Sequence, residues 1–290
     1  ARSLDSSGSG FCLASSGRLA QAPHWVLRSG WPPWQADLLM PLDHAKIPNF
    51  KNAAPAFTDV PYDPKRAYSM PYTWLVLGIG YRKSKMKGPI DSWKVLFDSD
   101  EYKGRIALLS EAGDLFRLSA KYKGHSVNGL NKDIIAEIEA MLKKQKANVK
   151  AFHEDNGQDL LLSGEVDVVL EYNGDIAQIM KEDPDIDFVV PKEGSQFNSD
   201  NLAIPKGAPH PEIAHAFINY LLDAEAGKKI SETILYPTPN AAAKALMPDD
   251  YKNNPEIFPP AAILAKCEYA SYNAELQPLY EEAFTRIRAD

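Results

Sequence analysis

Four acids beside apolar runs carry the chemistry most readily read from this sequence. Glu111 and Asp114 follow Ile106-Ala107-Leu108-Leu109, Asp175 follows the run through Leu170 and Tyr172, and Asp200 stands just before Leu202-Ala203-Ile204. In open α/β sheets a ligand is met beyond the carboxyl ends of the strands, which is where Glu111, Asp114 and Asp175 would lie. Asp200 precedes its run, so that rule does not reach it. Taken singly, each acid reads as a turn former or a helix N-cap. Tyr172 and Tyr236, taken singly, read as aromatics packed at a domain edge. As a group they describe something else. Carboxylates supply opposite charge and aromatic rings supply a negative face, the two things an ammonium ion needs when it leaves water.

Other chemistries find little support. The sequence has no GxGxxG after a strand, no GxxxxGKS/T, no HExxH and no GxSxG, so the common signatures for phosphate, zinc and serine-hydrolase sites are absent. No catalytic residue, metal site or cofactor is expected. His210 and His215 are five apart, which separates them around a helix; they read as a helix entry and a solvent-side histidine. With 39 acidic against 32 basic side chains and a formal charge of −7, a nucleic-acid partner is not expected, because phosphate backbones draw on clustered Lys and Arg. Lys143, Lys144 and Lys146 form a small basic run that reads as the solvated side of a helix. Cys12 and Cys267 are too few and too far apart to read as a disulfide framework. No run of 18 apolar residues suggests a membrane span.

The elements that must position these acids alternate. Trp74-Leu75-Val76-Leu77-Gly78-Ile79-Gly80-Tyr81 is a continuous apolar run, as expected of a strand buried on both faces. Val166 to Leu170, Phe188 to Val190 and Leu202 to Ile204 are further short β-branched or apolar runs. Ile134, Ile135, Ile138, Met141 and Leu142 fall at helical spacing behind Asn131, a candidate N-cap. Ile213, Phe217, Ile218, Leu221 and Leu222 make a second amphipathic helix, and Leu276 to Ile287 a third. Strands alternating with helices predict an α/β protein with largely parallel sheets.

Residues 1–35 differ from the rest. They hold 7 Ser, 4 Gly, 3 Pro and three of the five Trp, but no Lys, Glu, Ile or Tyr. Ser6 to Gly10 reads as flexible linker, and Trp31-Pro32-Pro33-Trp34 fits neither helix nor strand. The segment is expected to be an anomalous or disordered leader, and a translated frameshift would account for its composition.

From Ala36 onward, four stretches in order resemble one family. They are Tyr68-Ser69-Met70-Pro71-Tyr72-Thr73-Trp74; Gly164-Glu165-Val166-Asp167 followed by Tyr172-Asn173-Gly174-Asp175; Pro191-Lys192-Glu193-Gly194 leading to Asp200-Asn201-Leu202-Ala203-Ile204-Pro205; and Tyr236-Pro237-Thr238-Pro239-Asn240. Together they are similar to the spermidine/putrescine-binding periplasmic proteins of ABC importers. The resemblance implies a two-lobe, periplasmic-binding-protein-like (type II) α/β fold with crossing hinge strands. It implies a polyamine held between the lobes, and lobes that close on it. By the same resemblance the first lobe would comprise 36–76 and 200–242 and be incomplete at its start, and the second 77–199 and 243–290.

Carried over by position, the resemblance makes Glu111 and Asp114 an acidic pair facing an amine. Tyr172 stands where a Trp usually lies along the methylene chain. Asp175 matches an acid that takes an amine in putrescine-type members, Asp200 the acid near the hinge that holds a terminal ammonium, and Tyr236 a first-lobe aromatic. Two positions depart from the pattern: Asn198 replaces a usual aromatic, and Ala270 falls near a polar Gln contact. Thinner aromatic walls are expected to weaken polyamine binding or favour a shorter or more polar cation. The implied setting is a monomer in the periplasm that delivers a polyamine to an ABC permease in the inner membrane. Within the binding class the alternatives are another small cationic or organic solute, or a truncated homologue that binds nothing; an enzyme on the same fold is the other class, which a nucleophilic cysteine in the cleft would mark, and Cys267 has no evident His partner and reads as structural.

Overall fold

A computed structural model of the chain describes the backbone of Trp25–Arg28 and residues 37–289. The strands are β1 (Trp25–Arg28), β2 (Ser69–Arg82), β3 (Ile106–Leu109), β4 (Val149–His153), β5 (Val168–Tyr172), β6 (Ile186–Val189), β7 (Gln196–Ala203) and β8 (Glu268–Tyr269). The helices are α1 (Lys94–Phe97), α2 (Ala112–Tyr122), α3 (Lys132–Lys146), α4 (Gly157–Leu162), α5 (Asn173–Ile179), α6 (Pro211–Leu221), α7 (Ala224–Ile234), α8 (Ala241–Leu246), α9 (Asp249–Lys252), α10 (Ala261–Leu264) and α11 (Gln277–Ala289). The chain divides into two compact units. The first takes residues up to Leu75 and Asn198–Asn253; the second takes Val76–Phe197 and Asn254 onward. The divisions fall inside β2 and β7, so both strands run from one unit into the other.

The second unit shows why the alternating pattern was legible. β3, α2, α3 and β4 make one helix-linked return, and β4, α4 and β5 make the next, with β3 parallel to both β4 and β5. Parallel neighbours need such crossovers. The sheet is nevertheless mixed rather than largely parallel. β2 lies antiparallel to both β5 and β6, pairing Leu77 with Tyr172 and Ile79 with both Leu170 and Val189. The buried apolar run of β2 is borne out: Leu75, Val76, Leu77 and Ile79 are all buried. Gly78 is needed there, since a Cβ would meet the Phe188 ring at 2.2 Å. Beneath the sheet, Val76, Ala107, Val169, Ile176, Ile186 and Phe188 form the core. Asn131 caps α3 by accepting the Ile134 N–H at 3.0 Å, and Ile135, Ile138 and Leu142 supply its buried face.

In the first unit the chain before β2 is made of short 3-10 turns opened by proline, at Pro48–Asn52, Pro55–Phe57 and Pro64–Arg66. Proline at the first helical position has no N–H to leave unsatisfied. Arg66 adopts a left-handed backbone (φ 54°), a strained conformation for a residue with a Cβ. Its fully buried guanidinium holds it there, donating to the Phe57 carbonyl and to Asn201 Oδ1, both at 2.7 Å. Leu42, Ile47, Met70, Leu202, Ile204, Ala214, Ile218 and Leu222 form this unit's core.

Two readings of α6 are corrected. Of the apolar residues assigned to its inner face, Ile213 is 60% exposed and Phe217 37%. Ala214 and His215 turn inward with Ile218 instead. His215 is therefore buried rather than on the solvent side. Its Nε2 accepts the Asp43 N–H at 3.0 Å, which leaves Nδ1 to donate to the Pro211 carbonyl at 2.7 Å. A neutral imidazole so placed is an interior hydrogen-bond bridge, and no apolar pattern announces one.

Four leader residues are described. β1 pairs antiparallel with β7, with Trp25 opposite Ala203 and Arg28 opposite Asp200. Trp31-Pro32-Pro33-Trp34 and the Ser6 to Gly10 stretch lie outside the described residues.

Candidate functional site

In the second unit, strand ends and helix starts bring Glu111, Asp114 and Tyr172 together. α2 begins directly after β3, so Glu111 stands at its N-cap position and Asp114 in its first turn, where acids oppose the positive end of the helix. Tyr172 ends β5 and occupies the N-cap position of α5. Asp114 is almost fully buried, and protein donors surround its carboxylate. Tyr172 Oη donates to Oδ2 at 3.0 Å, and Gln196 Nε2 donates to Oδ1 at 2.7 Å. Arg117, one turn along α2, places Nη1 3.6 Å from the same Oδ1, with both side chains shielded from solvent. Charge-assisted bonds of this kind are roughly twice as strong as neutral ones, and a buried carboxylate needs them.

Glu111 is in a different state. Its Oε1 is buried with no hydrogen-bond partner among the described residues. Burial first, then the charges of Asp114 and Glu281, push the carboxyl up to about 7, while Arg117 and the Gly113 N–H pull the other way. Gly113 makes room for this arrangement: a Cβ there would lie 2.9 Å from Arg117 Nη1 and 3.2 Å from Glu111 Oε1. Arg117 also lies over the ring of Tyr280 on α11, its Cζ 5.7 Å from the centroid. Asp175 sits half-buried in the first turn of α5.

The first unit holds the other candidates. Asp200, half-buried on β7, accepts from Thr73 Oγ1 at 3.3 Å. Tyr72 lies close enough that the Asp200 charge, after burial, raises its phenol above the ordinary value. Alternation along β7 separates two faces. Ser199 Oγ donates to the Thr73 carbonyl at 3.0 Å and Asn201 takes Arg66, so these two odd positions are bonded within this unit. Asn198 and Asp200 occupy the even positions, and Asn198 is buried. Tyr236 is half-buried, and its carbonyl accepts from Tyr251 Oη at 3.0 Å. Ala270 belongs to the second unit and is buried.

Four residues of these clusters were not singled out by the sequence. Arg117 stands three residues past Asp114, a spacing that puts both on one helix face, and that was its available signal. Gln196 precedes Asn198 by two, the strand period. Tyr72 and Thr73 lie inside a recognised motif without an assigned part. Cys267 is half-buried, and its Sγ lies 3.4 Å from the Ile263 carbonyl of α10. Among the described residues no group of three His, Cys, Asp or Glu side chains could hold a metal ion, and no helix is long and apolar enough to cross a membrane.

Known proteins resemble this chain along most of its length. Residues 20–259 match the family of bacterial extracellular solute-binding proteins. The spermidine/putrescine-binding periplasmic protein of Salmonella typhimurium is 33% identical over 253 residues, covering 87% of this chain and 72% of that protein. The putrescine/cadaverine-binding protein of Pseudomonas aeruginosa is 30% identical over 242 residues, covering 79% of this chain and 68% of that protein. Among solved structures, the spermidine/putrescine ABC transporter substrate-binding protein PotD of Streptococcus pneumoniae superposes with a TM-score of 0.80 at 29% identity, covering 88% of this chain and 79% of that one.

Proposed function

From a chain that belongs to the bacterial extracellular solute-binding proteins, we propose a substrate-binding component of a polyamine importer, taking putrescine or spermidine and delivering it to an ABC permease. A polyamine is a set of ammonium charges on a flexible apolar rod. A site for it sets carboxylates against the charges and aromatic faces along the methylenes. In this reading Glu111 meets an ammonium in the second unit, with Asp175 near an amine and Tyr172 along the methylenes, and Asp200, Tyr236 and Asn198 are the ligand-binding residues of the first. Asp114 acts with Glu111 as a pair, although its own oxygens are taken up by protein donors.

The observation that carries this reading is the buried Oε1 of Glu111, without a hydrogen-bond partner among the described residues. A carboxylate taken out of water is costly unless it is paired. An arriving ammonium supplies the missing partner and restores the charge that burial suppresses. The relatives named for spermidine, putrescine and cadaverine support the same ligand class. The protein would work in the periplasm, as a monomer and without catalysis.

Thermal denaturation with and without ligand tests the reading, because a ligand that binds only the native state raises the midpoint by an amount that grows with the logarithm of its concentration over its dissociation constant. Millimolar putrescine or spermidine should raise it by several degrees, with Glu111→Gln losing most of the gain. No shift with either amine would contradict the reading.

A further inference from the structure

Arg117 presents an arginine inside an acidic cluster proposed to receive cations. Its guanidinium lies 3.6 Å from Asp114 Oδ1, and both side chains are less than a tenth exposed. Nη1 and Glu111 Oε1 flank the bare α-carbon of Gly113, each within 3.2 Å of where a Cβ would stand. The ring of Tyr280 backs the guanidinium, and Phe116 stacks on that ring at 5.8 Å between centroids, so Arg117 is held in place from behind. Asp114 already receives Tyr172 and Gln196. Of the acidic pair, Glu111 is the member with an oxygen left to a ligand.

We infer that Arg117 is a specificity-determining residue of this site. Its guanidinium acts as a built-in counter-cation for Asp114, so the Glu111–Asp114 pair offers one negative charge to one ligand ammonium, and the site prefers a diamine to a triamine. The inference rests on the polyamine reading and deepens it. The charges facing Glu111 are Asp114, Glu281 and Arg117. With Arg117 in place the two acids of the pair and the guanidinium sum to one negative charge, and without it to two; Glu281 adds the same charge in both cases, so losing Arg117 leaves one more negative charge, which suits a ligand carrying one more ammonium. A fixed cation in a shielded site also repels an amine placed nearby, since like charges act over longer range where water is excluded.

Calorimetry of the full chain with putrescine and spermidine at pH 8, where Glu111 is ionised, tests the inference. Arg117→Gln should move the ratio of dissociation constants about tenfold toward spermidine, equivalent to about 1.4 kcal/mol. Arg117→Lys, which keeps the charge, should hold the original ratio. Asp114→Asn leaves the guanidinium uncompensated and should weaken both amines; adding Arg117→Gln to it should recover putrescine binding. If Asp114 were itself an ammonium ligand, the double variant would stay weak, and that result would overturn the inference, as would an unchanged ratio in Arg117→Gln. Arg117→Met keeps an aliphatic stem over Tyr280 and serves if the Gln variant does not fold. Should neither amine bind the unaltered chain, the polyamine reading falls separately. The Glu111 midpoint, followed by carboxyl-carbon NMR, then decides for Arg117: Arg117→Gln should raise it, and an unmoved midpoint overturns the counter-cation role.

Discussion

The two units hold their acids in opposite ways. In the second, Asp114 is buried among a phenol, an amide and a guanidinium, and the neighbouring Glu111 is pushed toward neutrality. In the first, Asp200 is half-buried on a strand beside Thr73 and Tyr72. The difference follows from the elements that carry them. α2 is buried along nearly its whole length, Ala112 through Ala120, so any acid in its first turn must be solvated by protein. β7 is buried on both faces along most of its length, and Asp200 and Phe197 are its two half-buried positions. Asp114 is therefore bound into the fold by protein donors, whereas Asp200 keeps part of its surface in solvent.

Substitutions should separate these roles. The largest effect on stability is expected from Asp114→Ala, which strands a buried guanidinium and two donors. Losing one partner of a buried ion pair costs about 3–5 kcal/mol, so chemical denaturation should show a loss of that order. A loss below about 1 kcal/mol would break the contrast.

The pH dependence comes next and carries a definite sign. Glu111 has a folded-state midpoint near 7, above the ordinary value of 4.5. It contributes stability that is fully present below pH 4.5 and lost as pH rises through 7. Glu111→Gln should therefore flatten the decline of the melting midpoint between pH 4.5 and 7. Parallel curves for the two proteins would refute the assignment.

Smaller effects sharpen the picture. Tyr172→Phe removes one donor from a charged, buried acceptor and should cost about 1.5–3 kcal/mol by denaturant titration. Asp200→Asn keeps an acceptor for Thr73 Oγ1 at a half-buried position and should change the stability of the unliganded chain by less than about 0.5 kcal/mol. A much larger loss would place Asp200 with Asp114 as a structural acid.

How legible was this from sequence? The α/β alternation, the doubly buried β2 run and the Asn131 cap could be read because each depends on local periodicity or on one side chain meeting its own backbone. The strand directions could not. β2 lies between β5 and β6 and runs against both, an arrangement set by long-range pairing that leaves no mark on the apolar run itself. His215 was misplaced for a similar reason, since its burial is compensated by hydrogen bonds to Asp43 and Pro211 that depend on how distant segments meet. Glu111, Asp114 and Asp175 were singled out because each follows an apolar run, and Asp175 and Asp200 also lie in family motifs. The wiring of Asp114 through Gln196 and Arg117 was not legible, because a hydrogen bond between residues 82 positions apart has no sequence period.

The central claim, proposed above, is that this chain binds a polyamine through its carboxylates. Isothermal titration of putrescine and spermidine into the unaltered chain and into Asp200→Asn tests it most directly. The account predicts saturable binding to the unaltered chain and a loss of about 100-fold in Asp200→Asn, the scale expected when a desolvated charge pair loses one partner. Absence of binding to the unaltered chain, or equal affinity in the two proteins, would contradict it.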